Sequence, residues 1–61
     1  MTIENLVNEM SKLKVKLVLI EGVDMKRFNQ AYMYATDMMI AGTGNINHVI
    51  AEYKYFKSLI R

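Results

Sequence analysis

The sequence has no cysteine, no proline and a single histidine among its 61 residues. Without cysteine the chain forms no disulfide and offers no thiolate to a metal, and one imidazole does not make a histidine-rich metal site. Domains this small bury only about 60% of the surface of the unfolded chain. They usually depend on a disulfide, a metal or oligomerisation. We therefore expect oligomerisation to stabilise this chain, with a well-packed monomer as the alternative.

Long hydrophobic runs and a strong charge of one sign are also absent. Apolar runs such as Leu17-Val18-Leu19-Ile20 are far shorter than the roughly 20 residues that span a bilayer. The N-terminus shows neither the basic start nor the small-residue cleavage site of a signal peptide. The net charge is only +2, whereas dedicated nucleic-acid binders usually show a clustered basic excess. These features favour a cytoplasmic protein without a membrane partner, and make nucleic acid a less favoured partner than protein.

What the sequence does contain is helical periodicity, divided by its three glycines. Apolar residues recur every three or four positions in each of three segments, which is the pattern of amphipathic helices. We predict helices at about 3–21, 25–41 and 46–60. Thr2, Asp24 and either Thr43 or Asn45 are suitable N-caps, because their side-chain oxygens can accept a backbone N–H of the first turn.

The first segment has the most regular apolar pattern. Its spacings of +3, +4, +3, +4 and +3 are those of a heptad seam, the pattern by which helices pair. We predict that this seam mediates self-association. Its members are Ile3, Leu6, Met10, Leu13, Leu17 and Ile20.

The fold expected from these segments is all-α. It is a three-helix bundle, or a helical hairpin plus a third helix, in one small domain over residues 1–61. Two copies are expected to form a symmetric helical dimer, because closed two-fold assemblies are the commonest oligomers.

Residues 13–20 also fit a strand, because Leu13, Val15, Leu17 and Leu19 alternate along it. The order strand, helix, glycine turn, helix would be similar to the ribbon-helix-helix repressors, whose dimers insert a two-stranded ribbon into the DNA major groove. The stretch Gly42-Thr43-Gly44-Asn45-Ile46-Asn47 looks like the turn into the second helix of that family.

That resemblance implies a dimeric DNA-binding repressor as the alternative function. DNA contacts would then come from Lys12, Lys14 and Lys16. Helix is the favoured prediction for 13–20, because the +3/+4 pattern begins ten residues earlier and continues through it without a break.

Residues capable of catalysis show no shared spacing. His48 is the one general base by type at neutral pH, and we expect it to form an exposed surface pair with Glu52, four residues later. The stretch Gly42-Thr43-Gly44 lacks the lysine of a phosphate-binding loop and is expected to be a helix stop and a turn. The sequence therefore predicts a protein that is not an enzyme, with no catalytic residue, no cofactor and no metal.

The most informative feature is a second apolar line on each segment, away from the main stripe. The lines comprise Val15 and Leu19, Met33 and Ile40, and Ala51, Tyr55 and Leu59. A three-helix monomer has one shared centre, so these lines would face water, and exposed apolar patches usually mark interfaces. We predict a protein-interaction module, a homodimeric regulator or inhibitor of a larger protein. Because Tyr and Met recur at interfaces, the predicted partner contacts are Met33, Tyr34, Tyr55 and Leu59.

Overall fold

The computed structural model describes residues 2–60, and in this part of the chain there are three α-helices and no strand. They are α1 (Ile3–Leu17), α2 (Met25–Ala41) and α3 (Ile46–Ser58), each packed against the other two. The predicted all-α fold is confirmed. Among the described residues, none of the helices combines the length and the hydropathy needed to cross a membrane.

The three helices begin where local capping chemistry predicts. At each start, a side-chain oxygen accepts a hydrogen bond from a backbone N–H of the first turn, at 3.2, 3.0 and 3.0 Å. This satisfies one of the N–H groups that a helix start leaves without a partner. The caps are Thr2, Asp24 and Asn45.

Helix α1 is shorter than predicted, because it ends at Leu17 and not at residue 21. The N–H groups of Leu19 and Ile20 donate to carbonyls only three residues earlier, at 3.2 and 3.0 Å, which tightens the chain into a turn. Ile20 and Val23 then pack against the core. The apolar spacing does not indicate where α1 ends, because Ile20 continues the +3/+4 pattern although it lies beyond the helix. Helix α3 similarly ends at Ser58 instead of 60.

The alternative of a strand at 13–20 is wrong for this structure. Residues 13–17 belong to α1, which buries Leu13 and Leu17, while Val15 remains 66% exposed. A strand would have placed these three side chains on one face. The two-stranded ribbon of the ribbon-helix-helix repressors therefore has no counterpart in residues 2–60, and the resemblance does not extend to the fold.

One hydrophobic core is shared by the three helices. Phe28 of α2 and Phe56 of α3 meet edge to face, with ring centroids 5.2 Å apart and an interplanar angle of 84°, a favoured aromatic geometry. Helix α1 contributes its apolar face to the same core. The fully buried large side chains are Leu6, Met10, Leu17, Phe28, Val49 and Phe56.

The joint between α2 and α3 depends on glycine. Gly42 ends α2 with φ +72°, and its N–H donates to the carbonyl of Met38 at 2.8 Å. Gly44 has φ +126°, and a Cβ there would lie only 2.5 Å from Met38 Cγ. This close approach brings the next residue to Tyr34, whose hydroxyl oxygen accepts the N–H of Asn45 at 3.2 Å.

Candidate protein-binding face between α2 and α3

An ion pair joins α2 to α3 at the surface. Arg27 donates from Nε and Nη2 to the two carboxylate oxygens of Glu52, both at 2.9 Å, the fork-to-fork arrangement that Arg and carboxylates favour. The hydrogen bond from Arg27 lowers the pKa of Glu52, and the charges of Arg27 and then His48 act in the same direction against partial burial. The same hydrogen bond raises the pKa of Arg27. Both groups are therefore held in their charged forms.

Arg27 also stacks on aromatic rings of α3. Its guanidinium carbon lies 4.4 Å from the centroid of the Tyr55 ring and 5.7 Å from that of Phe56, within the range of cation–π attraction. Tyr55 in turn packs edge to face on Phe56, with centroids 5.0 Å apart. The exposed Tyr55 ring is thus held between a cation and the core.

A second aromatic group lies farther along the same two helices. Tyr34 of α2 meets His48 of α3 in a T-shaped contact, with ring centroids 5.7 Å apart. The hydroxyl of Tyr34 is fixed by the N–H of Asn45. A shallow cavity of about 330 Å³ lies between the helices, lined by Arg27, Gln30, Ala31, Tyr34, His48 and Glu52. We call these residues, with Tyr55, the α2–α3 face.

The predicted partner contacts are all exposed, but they divide between two sides of the molecule. Tyr34 and Tyr55 belong to the α2–α3 face, and Leu59 follows Tyr55 by four residues on the same side of α3. Met33 lies about 100° around α2 from Tyr34 and shares its side of the helix with Ile40. Tyr34, Tyr55 and Leu59 thus follow one another along the same side of the molecule, whereas Met33 lies on the outer side of α2.

The predicted self-association seam lies inside a single chain. Leu6, Met10, Leu13 and Leu17 are buried in the core, and Ile3 and Ile20 pack against it. Heptad spacing predicts an apolar helix face, but does not specify which helix will cover it. Here α2 and α3 of the same chain do so, and a dimer that used this seam would have to open the core. Self-association through it remains an untested prediction.

The three lysines of the DNA-binding alternative do not lie on one surface. Lys12 and Lys16 both line a groove between α1 and α3, whereas Lys14 is exposed outside that groove. Because they occupy every second position, these lysines would lie on one side of a strand. On a helix, Lys14 lies about 160–200° around the axis from the other two.

Sequence reasoning missed the ion pair at the centre of the face. It predicted a surface pair of His48 with Glu52, whereas Glu52 bonds to Arg27. Arg27 and Glu52 are 25 positions apart, so no local spacing connects them. The one available signal was the two cations in the first turn of α2, Lys26 and Arg27, because the helix dipole disfavours them there and a tertiary partner would offset that cost.

Residues 2–60 contain no group of three or more His, Asp or Glu side chains that could hold a metal ion. The face has instead the aromatic and arginine side chains that recur at protein interfaces. Comparisons with family models, with curated proteins and with solved structures found no match to this chain.

Proposed function

We propose that the protein is a small helical protein-interaction module, a homodimeric regulator or inhibitor that binds a larger protein. The observation that carries this proposal is the apolar surface left outside the completed core. Leu19, Ile40, Val15 and Met33 are 83, 78, 66 and 65% exposed, respectively. Exposed apolar residues that share one side of a helix, as Met33 and Ile40 do on α2, are typical of surfaces that another molecule covers.

The α2–α3 face is the surface that we propose for the larger partner. Tyr and Arg are, with Trp, the residues enriched at the energetic centres of interfaces. Tyr34 is already fixed by Asn45 and His48, and Tyr55 by Arg27 and Phe56. A partner would therefore have to order few side chains, which lowers the entropic cost of association.

The outer side of α2 is the surface that we propose for the second copy. Met33 and Ile40 are seven residues apart, so they lie about 20° from each other around the helix and about two turns apart along it. A standard interface covers about 800 Å² of each partner, nearly a fifth of the 4361 Å² of accessible surface. The chain has room for two such interfaces, and a larger protein held at one of them would have that part of its surface occluded.

Affinity capture with matched baits tests partner binding. The wild-type protein, a Tyr55→Ala/Leu59→Ala variant and a Lys54→Ala control are each cross-linked in a lysate of cells that express the protein, and retained proteins are quantified by mass spectrometry. Lys54 is exposed and next to Tyr55 in sequence, but lies about 100° away around α3. We expect at least one protein to be retained by wild type and control and lost from the double variant.

Circular dichroism spectra of the three baits are compared as a control, and we expect all three to be equally helical. If every protein retained by the wild type is retained equally by the double variant, the α2–α3 face is not the partner site. If the wild type retains nothing above a blank matrix, the proposed function fails as a whole.

A further inference from the structure

A separate groove lies between α1 and α3. Its volume is about 310 Å³ and it is open to solvent. The floor is apolar and consists of the buried Leu13 and Tyr53 together with the half-buried Ile60. The rim carries three exposed lysines, Lys12 and Lys16 from α1 and Lys57 from α3. We call this the α1–α3 groove.

The residues that line the groove carry more positive than negative charge. Lys12 Nζ lies 3.5 Å from a carboxylate oxygen of Glu9, the one acidic residue that lines the groove. Within residues 2–60, neither Lys16 nor Lys57 has a carboxylate within 4.0 Å. Lys57 Nζ lies 5.7 Å from the centroid of the Tyr53 ring, so its charge is held beside the apolar floor. Among residues 2–60, two ammonium groups from different helices thus flank one apolar strip without a carboxylate partner.

We propose that the α1–α3 groove binds a short acidic segment of a protein partner. One large apolar side chain of that segment would cover Leu13, Tyr53 and Ile60, and its carboxylates would pair with Lys16 and Lys57. Charge complementarity of this kind sets the orientation and the choice of partner. Glu9 to Lys16 spans about 10 Å of helix α1 at 1.5 Å per residue, which matches about two turns of a bound helix.

The shape and composition of the groove favour this occupant over two others. Sites for small molecules bury most of the ligand surface, and this groove is open to solvent. Nucleic acids are held by many phosphate contacts, whereas this rim offers two unneutralised lysines beside an apolar floor. The inference rests on the proposed function in that the occupant belongs to a protein, but it concerns a different side of the molecule from the α2–α3 face.

Titration of the ¹⁵N-labelled full chain with a designed peptide tests the inference. The probe is an amphipathic helical peptide with Leu and Phe along one side and Glu on both flanks, and its counterpart has Lys at every Glu position. We expect the acidic peptide to shift amide resonances within 9–16 and 53–60, and the lysine counterpart to shift none of them. The affinity of the Lys16→Glu/Lys57→Glu variant for the acidic peptide should fall by about tenfold or more, since each change replaces an attraction with a repulsion.

The matched control is Lys14→Glu/Lys26→Glu, which alters the net charge equally with neither residue lining the groove. It should bind within about threefold of wild type, because Lys14 lies on the opposite side of α1 from Lys12 and Lys16, Lys26 lies on α2, and salt screens the effect of net charge alone. An equal loss in both double variants would reduce the effect to general attraction and overturn the site. Failure of the acidic peptide to shift the groove resonances, or tighter binding there of a single-stranded oligonucleotide, would overturn it as well.

The Tyr55→Ala/Leu59→Ala variant separates this inference from the proposed function. It should bind the acidic peptide as the wild type does, because the α2–α3 face does not contribute to the groove. Loss of peptide binding in this folded variant would place the peptide on the α2–α3 face and overturn the groove assignment. If only the Lys16→Glu/Lys57→Glu variant loses peptide binding, the result supports the α1–α3 groove as the peptide site. This holds whatever affinity capture shows for the larger partner.

Discussion

Arg27 shows how one residue can connect the core, the surface and the helix start. Its backbone N–H donates to the cap Asp24, and its side chain pairs with Glu52 while lying over the Tyr55 ring. A cation in a first turn is slightly unfavourable because of the helix dipole. The bidentate bond to Glu52 and the stacking on Tyr55 offset that cost. The same contacts hold the two helices at a fixed spacing across the α2–α3 face.

Replacing Glu52 with Gln should lower the melting temperature at neutral pH and have no effect in strong acid. Arg27 lowers the pKa of Glu52 below its ordinary value of 4.5, so the unfolded state takes up the proton first as the pH falls. The contribution is present above pH 4.5 and is lost as the pH falls through the lower folded-state pKa. Thermal melts of both proteins between about pH 7 and pH 2 should show the difference closing. A difference that stays constant would assign the effect to packing alone.

Replacing Gly44 with Ala should destabilise the protein more than replacing Gly42. Both glycines have positive φ, which costs an L-residue about 1–2 kcal/mol. A Cβ at Gly42 meets nothing within 4 Å, whereas one at Gly44 would lie 2.5 Å from Met38 Cγ and 3.3 Å from the Tyr34 hydroxyl. Urea unfolding should give a loss of about 1–2 kcal/mol for Gly42→Ala and a larger one for Gly44→Ala. Equal losses would mean that Met38 moves aside at little cost.

At the scale of helices, the caps are the features most directly encoded in the sequence. Asp24→Ala should cost about 1 kcal/mol, because it removes the acceptor for the Arg27 N–H. In a domain of this size that corresponds to a fall of about 4–8 °C in the melting temperature. Asp24→Asn keeps an acceptor oxygen and should retain most of the stability. If Asn and Ala are equally destabilising in thermal melts, the negative charge of Asp24 and not its hydrogen bond stabilises the start of α2.

Features that depend on neighbouring residues in the chain could be predicted from the sequence, whereas those that depend on which helices meet could not. The starts of the helices and the exposure of Tyr34 and Tyr55 depend on local caps and helical period, and the sequence contains both. The end of α1 depends on Ile20 and Val23 folding back onto the core, which periodicity does not report. The Arg27–Glu52 pair and the α1–α3 groove likewise depend on which helix faces which. Periodicity predicted an apolar face on α1, and α2 and α3 of the same chain cover that face, while its predicted pairing with a second copy stays a prediction.

At the scale of the whole molecule, folding buries the main apolar stripes of the helices and leaves the second apolar lines exposed. The chain reaches a radius of gyration of 11.0 Å with its core complete in one copy. A dimer therefore is not required to bury the α1 seam, and an association that leaves the core closed has to use residues that a single copy exposes. Of these, Met33 and Ile40 lie on the side of α2 away from both the α2–α3 face and the α1–α3 groove. The proposed dimer leaves both of those surfaces free for other proteins.

Sedimentation equilibrium over a range of micromolar concentrations should give twice the 7.1 kDa mass of one chain. Met33→Glu/Ile40→Glu should shift the mass to that of a monomer with unchanged helicity, because two carboxylates would be desolvated against their copies across a two-fold interface. Asn47→Glu/Lys54→Glu, which places two carboxylates on exposed positions of α3, should leave the dimer intact. A wild-type protein that stays at 7.1 kDa at every concentration would remove the dimer from the proposed function. A mass that rises beyond two copies would replace it with a larger helical assembly.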